Sequence, residues 1–212
     1  MERKGKYFES ELPEGYRVVK TIDAKDKKVG IVLNLIALIP LAISLVVAYF
    51  AMGSPTLIDG VTNAWQFVIY CFALLISLIV YLILHELVHG AVYKFFTREK
   101  LTFGITLAAA FCGVPNIYVY RKPALVAVLA PFVAFLPIFL TLCFVLPVPL
   151  MKMLAAFMLG MHIGGCSGDL WVSGLLLFKL RDNATLINDT GPKQTFCVPD
   201  IVGNAVENHS QI

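Results

Sequence analysis

Apolar residues run almost unbroken through four stretches of this chain, residues 29–52, 64–96, 124–146 and 151–178. A helix needs about 20 apolar residues to cross the hydrocarbon core of a bilayer, so each stretch predicts a span. The second is longer than that, and its end is expected to project into the interface or to tilt. Pro40 and Pro137 lie inside spans and predict kinks, which a membrane tolerates where neighbours satisfy the released carbonyls. Residues 100–120 break the apolar pattern without being polar. Residues 101–107 roughly alternate, residues 117–120 are β-prone, and Gly113, Pro115 and Asn116 between them are turn formers. The expected fold is an all-α membrane protein of four transmembrane helices, with a small β-hairpin or loop insertion between helices two and three.

Composition agrees with that pattern. The 212 residues are 58% hydrophobic and 15% charged, with mean hydropathy +0.79. This is the balance of a multi-pass membrane protein and excludes a soluble domain with one large core. The net charge of +3 is modest, and its distribution fits membrane orientation rather than nucleic-acid binding. Eight of the 17 Lys and Arg residues precede residue 29, and residues 53–63 have none. Four spans with both termini cytoplasmic satisfy the positive-inside rule throughout. The domain division is then a cytoplasmic arm (1–28), a four-span membrane domain (29–180) and a cytoplasmic tail (181–212). No short apolar core with a small-residue cleavage site follows Met1, so no cleaved signal peptide is expected. The five cysteines are scattered, with no C-x-x-C pair. Four lie in apolar surroundings and read as small buried hydrophobes, disulfides are not expected, and only Cys166 falls near a candidate site.

Candidate chemistry sits inside the second span. From Val29 to Tyr93 the only Asp, Glu, Lys or Arg residues are Asp59 and Glu86. A carboxylate at membrane depth is unfavourable by several kcal/mol on insertion scales. Its neighbours explain it. His85 and His89 are four apart, so both imidazoles lie on one helix face and can hold one Zn²⁺. Glu86 beside them can act as a general base toward the attacking water. The competing reading is two packing histidines and a carboxylate paired with a lysine.

Two histidines leave a catalytic zinc site one protein ligand short. Asp169 is the best candidate for the third. It precedes Lys179 by ten residues, and His85 and His89 precede Lys94 by nine and five. At 1.5 Å per residue the levels match to within a few Å. Gly164, Gly165 and Gly168 would let that helix approach closely or open locally. His162 lies on nearly the same face as Asp169 but roughly 10 Å deeper on a continuous helix. It is a candidate supporting or substrate-binding donor, against the alternative of a satisfied buried histidine. His209, in the polar tail, has no metal-spaced partner.

His85-Glu86-Leu87-Val88-His89-Gly90, Leu129-Ala130-Pro131-Phe132 and Ser167-Gly168-Asp169 together resemble the landmarks of a family of small bacterial membrane proteins labelled putative zincin peptidases. More distantly, the chain resembles the site-2 class of intramembrane zinc proteases. The likeness implies Zn²⁺ held by His85, His89 and Asp169, with Glu86 as catalytic base. Asp169 is followed by Leu170 where site-2 proteases carry Asp-Gly, no Asn-Pro pair precedes it, and no peptide-binding domain is inserted.

The expected function is a zinc-dependent, membrane-embedded peptidase in a bacterial cell membrane, acting on membrane-associated protein or peptide substrates. The alternative is a non-catalytic membrane protein with a structural, sensory or transport metal site. Glu86 separates them, because a structural site has no need of an adjacent non-ligating carboxylate. A transport path would place more polar residues along spans one and three, where Asn34 is the main exception.

Overall fold

The computed structural model describes residues 7–51, 64–106 and 110–200. Four helices in it are long and apolar enough to cross a membrane: Lys27–Ala51, Ala64–Thr97, Arg121–Val145 and Pro149–Lys179. The first three are α1, α2 and α3. The last is composite, with α4 over Pro149–Gly165, a turn at Cys166, α5 over Ser167–Gly174 and a π-helical turn over Leu175–Lys179. Pro149 stands at the start of α4, where a missing N–H is harmless. Residues 53–63 and His209, which entered the orientation and ligand arguments, lie outside the described residues.

Two compact units divide the chain. One comprises Ile31–His85 and Leu129–Leu170, and so holds segments of all four spans. Its helices pack through small residues. A Cβ on Gly160 would collide with Leu41 and Ser44 of α1, and one on Gly164 with the Ala37 backbone. Without a hydrophobic driving force between lipid-solvated helices, such close backbone approach is a main source of association. Gly165 and Gly168 have no such crowding, so the expected glycine contact belongs to Gly164.

The other unit comprises Met1–Gly30, Glu86–Val128 and Trp171–Ile212. Here the all-α expectation needs correction. Among the described residues seven strands occur: β1 (Phe8–Glu9), β2 (Tyr16–Asp23), β3 (Thr102–Ile105), β4 (Ala110–Gly113), β5 (Tyr118–Tyr120), β6 (Leu186–Asp189) and β7 (Lys193–Pro199). Five form one antiparallel sheet in the order β1-β5-β6-β7-β2, while β3 and β4 form a separate hairpin. The expected β-rich segment between α2 and α3 is present, but its two halves do not pair with each other. Thr102–Ile105 pairs with Ala110–Gly113, and Val119 lies opposite Phe8 on one side and Ile187 on the other. The arm and tail are ladder partners, Tyr16 to Pro199 through Asp23 to Lys193. Val114, Ile117, Val119, Ile187 and Phe196 bury one face of this unit with Tyr93, Ala127 and Leu176.

Asp189 ties the sheet to the hairpin and to α2. Its carboxylate accepts hydrogen bonds from Tyr93 Oη (2.7 Å), Gln194 Nε2 (3.0 Å) and the Gly191 N–H (2.9 Å), and its carbonyl accepts the Val114 N–H at 2.7 Å. Gly191 has φ +97°, a conformation glycine adopts without strain. A Cβ on Gly113 would run into the Asp189–Gly191 backbone, so β4 lies directly against this turn.

Burial pushes the Asp189 carboxyl up to about 6, against the lowering effect of its three donors. The folded chain therefore holds this proton more tightly than the unfolded chain. The associated stability is fully present below about pH 4, is lost as pH rises toward about 6, and stays lost above that. Asp189→Asn should abolish that slope. It should also destabilise the fold by about 1–3 kcal/mol, because an amide leaves one of three donors facing a donor. Denaturant unfolding in detergent between pH 3.5 and 7.5 checks both outcomes.

Candidate metal centre

Tyr81, His85, His89 and Tyr93 follow one another at intervals of four on α2, and all are buried. This i, i+4 stripe turns the motif histidines inward, while Leu82, Ile83, Leu84 and Leu87 face outward and are exposed. Glu86 is half-buried beside the stripe.

The polar side chains of the helical unit form a chain of hydrogen bonds. His162, fully buried on α4, has Nε2 at 3.3 Å from the Phe132 carbonyl of α3. A carbonyl only accepts, so Nε2 carries the proton and Nδ1 is the acceptor. Tyr81 Oη lies 2.8 Å from that Nδ1 and donates to it. The same hydroxyl is 3.1 Å from His85 Nδ1 and accepts its proton. His85 thereby has its lone pair on Nε2, which faces Asp169 Oδ2 at 3.3 Å. Phe132, Phe135 and Phe139 enclose Tyr81 and His162 at ring-centroid distances of 5.5–6.1 Å.

The 3.3 Å gap suits either a shared proton, as an imidazolium–carboxylate pair, or a cation held between the two atoms. Tetrahedral zinc bonds of 2.0–2.2 Å place neighbouring N and O ligands roughly 3.3 Å apart. The observed His85–Asp169 separation matches that spacing, so this pair fits the metal chemically and metrically. One turn on, His89 Nδ1 donates to the Ala127 carbonyl at 2.8 Å, which puts its lone pair on Nε2 as well. Two imidazoles and a carboxylate are a common donor set for catalytic zinc.

His85, His162 and Cys166 also bring possible ligand atoms within 4.8 Å of one another. Their hydrogen-bonding atoms are already engaged. The Tyr81 hydroxyl bridges His85 and His162, and Cys166 Sγ lies 3.7 Å from the same His162 Nδ1 that accepts from Tyr81. His162 is held by Tyr81 and Phe132, with the Tyr81 hydroxyl between it and His85.

The β3–β4 hairpin packs beside the motif. A Cβ on Gly90 would press on Phe103 and Leu101, so the hairpin sits close against α2 at the end of the motif. Burial pushes the Cys112 thiol of β4 up to about 12, with the Glu86 and Asp189 carboxylates adding to the shift. Glu86 is thus near enough to the hairpin for its charge to be felt there.

A family model described as putative zincin peptidase matches residues 78–183. The chain belongs to that family. The match begins three residues before Tyr81 and ends beyond Asp169, so it contains both motif histidines, Glu86 and the whole hydrogen-bond chain. That family description implies zinc and suggests a metallopeptidase. No curated protein and no solved structure matches the chain.

Tyr81 and the Ala127 carbonyl carry no sequence motif. Tyr81 was detectable only as the residue one turn before His85 on the same face. Tyr81→Phe removes both hydrogen bonds while keeping the ring contacts to Phe135, Phe139 and His162. Zinc affinity, measured by competition with a chromogenic chelator, should fall about 10–100-fold, with the helical circular dichroism unchanged.

Proposed function

We propose that this zincin-family protein is a membrane-embedded zinc peptidase of the site-2 type, holding zinc with His85, His89 and Asp169 and using Glu86 as general base. The observation that carries this reading is the His85 Nε2–Asp169 Oδ2 approach at 3.3 Å, on the inward face of the helix that presents Glu86. Bound there, zinc supplies Lewis-acid polarisation of a carbonyl and acidifies a water molecule. Glu86 takes a proton from the attacking water and delivers it to the leaving amine. Asp169 and the two imidazoles hold position, because His85 and His89 are each fixed through Nδ1.

The proposed substrate class is argued from the surroundings. Hydrolysis needs an extended peptide, and β3 pairs only with β4 among the described residues. Its outer edge is suited to add a substrate strand through backbone hydrogen bonds. The substrates are membrane-associated proteins or peptides, since α2 presents Glu86 from within an apolar span. In this reading both chain ends lie on the cytoplasmic side of a bacterial cell membrane. Pairing of β2 with β7 supports a common side for the two ends, as four spans require.

Glu86→Gln is expected to keep zinc and fold while lowering cleavage by about 10²–10⁴-fold, the usual worth of a general base. Asp169→Ala should lose zinc. The assay is mass spectrometry of new termini in co-expressed single-span membrane proteins, beside metal analysis of each variant. Fragments formed equally by wild type and Glu86→Gln would sink the catalytic reading and favour a non-catalytic metal site. Ile105→Pro, on the exposed strand β3, should reduce cleavage with zinc content intact, because proline removes a backbone donor. Val119 is unsuitable for that test, being buried in the five-stranded sheet.

A further inference from the structure

The carbonyl that orients His89 belongs to a residue four positions before a proline inside a helix. Ala127 and Pro131 both lie within α3, whose ordinary hydrogen bond runs from the N–H of residue i to the carbonyl of residue i−4. Pro131 has no N–H, so it cannot take the Ala127 carbonyl. His89 Nδ1 takes it instead, at 2.8 Å. Pro131 and Ala127 are both almost completely buried, so water does not offer that carbonyl an easy substitute.

We infer that Pro131 is a positioning residue for the metal centre. By removing one helical donor it reserves the Ala127 carbonyl for His89 and presets that imidazole with its proton on Nδ1 and its lone pair on Nε2. An orphaned carbonyl inside an apolar span is unfavourable unless a donor reaches it. The His89 ring is that donor, so the ring orientation and the proline defect stabilise each other. This role rests on the proposed use of His89 as a zinc ligand. The tautomer it predicts exists without the metal.

Pro131→Ala restores the N–H and lets the helix reclaim the carbonyl. The test compares full-length wild type and Pro131→Ala in detergent, using Zn²⁺ alone as the probe. Three readouts are taken: the ¹⁵N shifts of the His89 imidazole in metal-free protein, the apparent zinc Kd, and the thermal midpoint of the metal-free protein. Wild type should show Nδ1-protonated His89, and the variant a mixture of tautomers. Zinc affinity should fall about 10-fold or more, in the range for residues that orient a ligand. The metal-free thermal midpoint should stay level or rise, because a proline has been removed from a helix interior. A proline needed only for packing would lower stability and affinity together, which would overturn the inference. Unchanged zinc affinity and an unchanged His89 tautomer would overturn it while leaving the zinc site in place. Wild-type protein that binds no zinc would overturn it together with the metal reading. Ala127→Gly, which alters the side chain and keeps the carbonyl, should retain the wild-type His89 tautomer; its loss would count against a backbone mechanism.

Discussion

Polar groups inside apolar helices must satisfy one another, and the centre of this protein is organised by that requirement. Water is scarce at membrane depth, so each buried donor needs a protein acceptor. The run from the Phe132 carbonyl through His162 and Tyr81 to His85 meets the need with one acceptor for each proton. It also fixes which nitrogen of His85 carries the lone pair. The same bonds that make its burial tolerable leave that nitrogen facing Asp169. The aromatic shell of Phe132, Phe135 and Phe139 excludes competitors for those bonds. Close contact of Gly160 and Gly164 with α1 lets α4 lie where His162 is needed.

Backbone irregularity serves the same end. Pro131 releases a carbonyl for His89. In the π-helical turn, Leu180 N–H reaches back five residues to Leu175, and the Leu176 carbonyl accepts Arg121 Nε at 2.7 Å. The turn at Cys166 interrupts the last span between His162 and Asp169. At Pro131 and at the π-helical turn the carbonyl concerned is taken up by a side chain, His89 and Arg121 respectively, while the Cys166 turn keeps its backbone bonds to His162 and Leu170.

The strand-rich unit solves a separate problem. Short strands such as Phe8–Glu9 and Tyr118–Tyr120 have little stability alone. They persist because five of them share one sheet over a common core, and because Asp189 joins that sheet to β4 and Tyr93. The hairpin beside Glu86 is therefore braced by residues from both ends of the chain.

The four helices long and apolar enough to span a membrane were legible in the sequence to within about three residues at their boundaries, because such helices are marked by local composition over some 20 residues. The His85-Glu86-x-x-His89 spacing was legible for the same kind of reason: helical periodicity places those side chains on one face whatever surrounds them. Asp169 could be matched to His85 by counting along two helices, since rise per residue is fixed. The five-stranded sheet was not legible. Its ladders join residues 16–23 to 193–199 and 118–120 to 8–9, and no local pattern names a partner so distant. Tyr81 was of the same kind: it lies 81 residues from His162, which the sequence did offer as a candidate, and takes its meaning from a 2.8 Å bond to it. Local periodicity is written along the chain, whereas hydrogen-bond partners and strand neighbours are decided by which distant segments packing brings together.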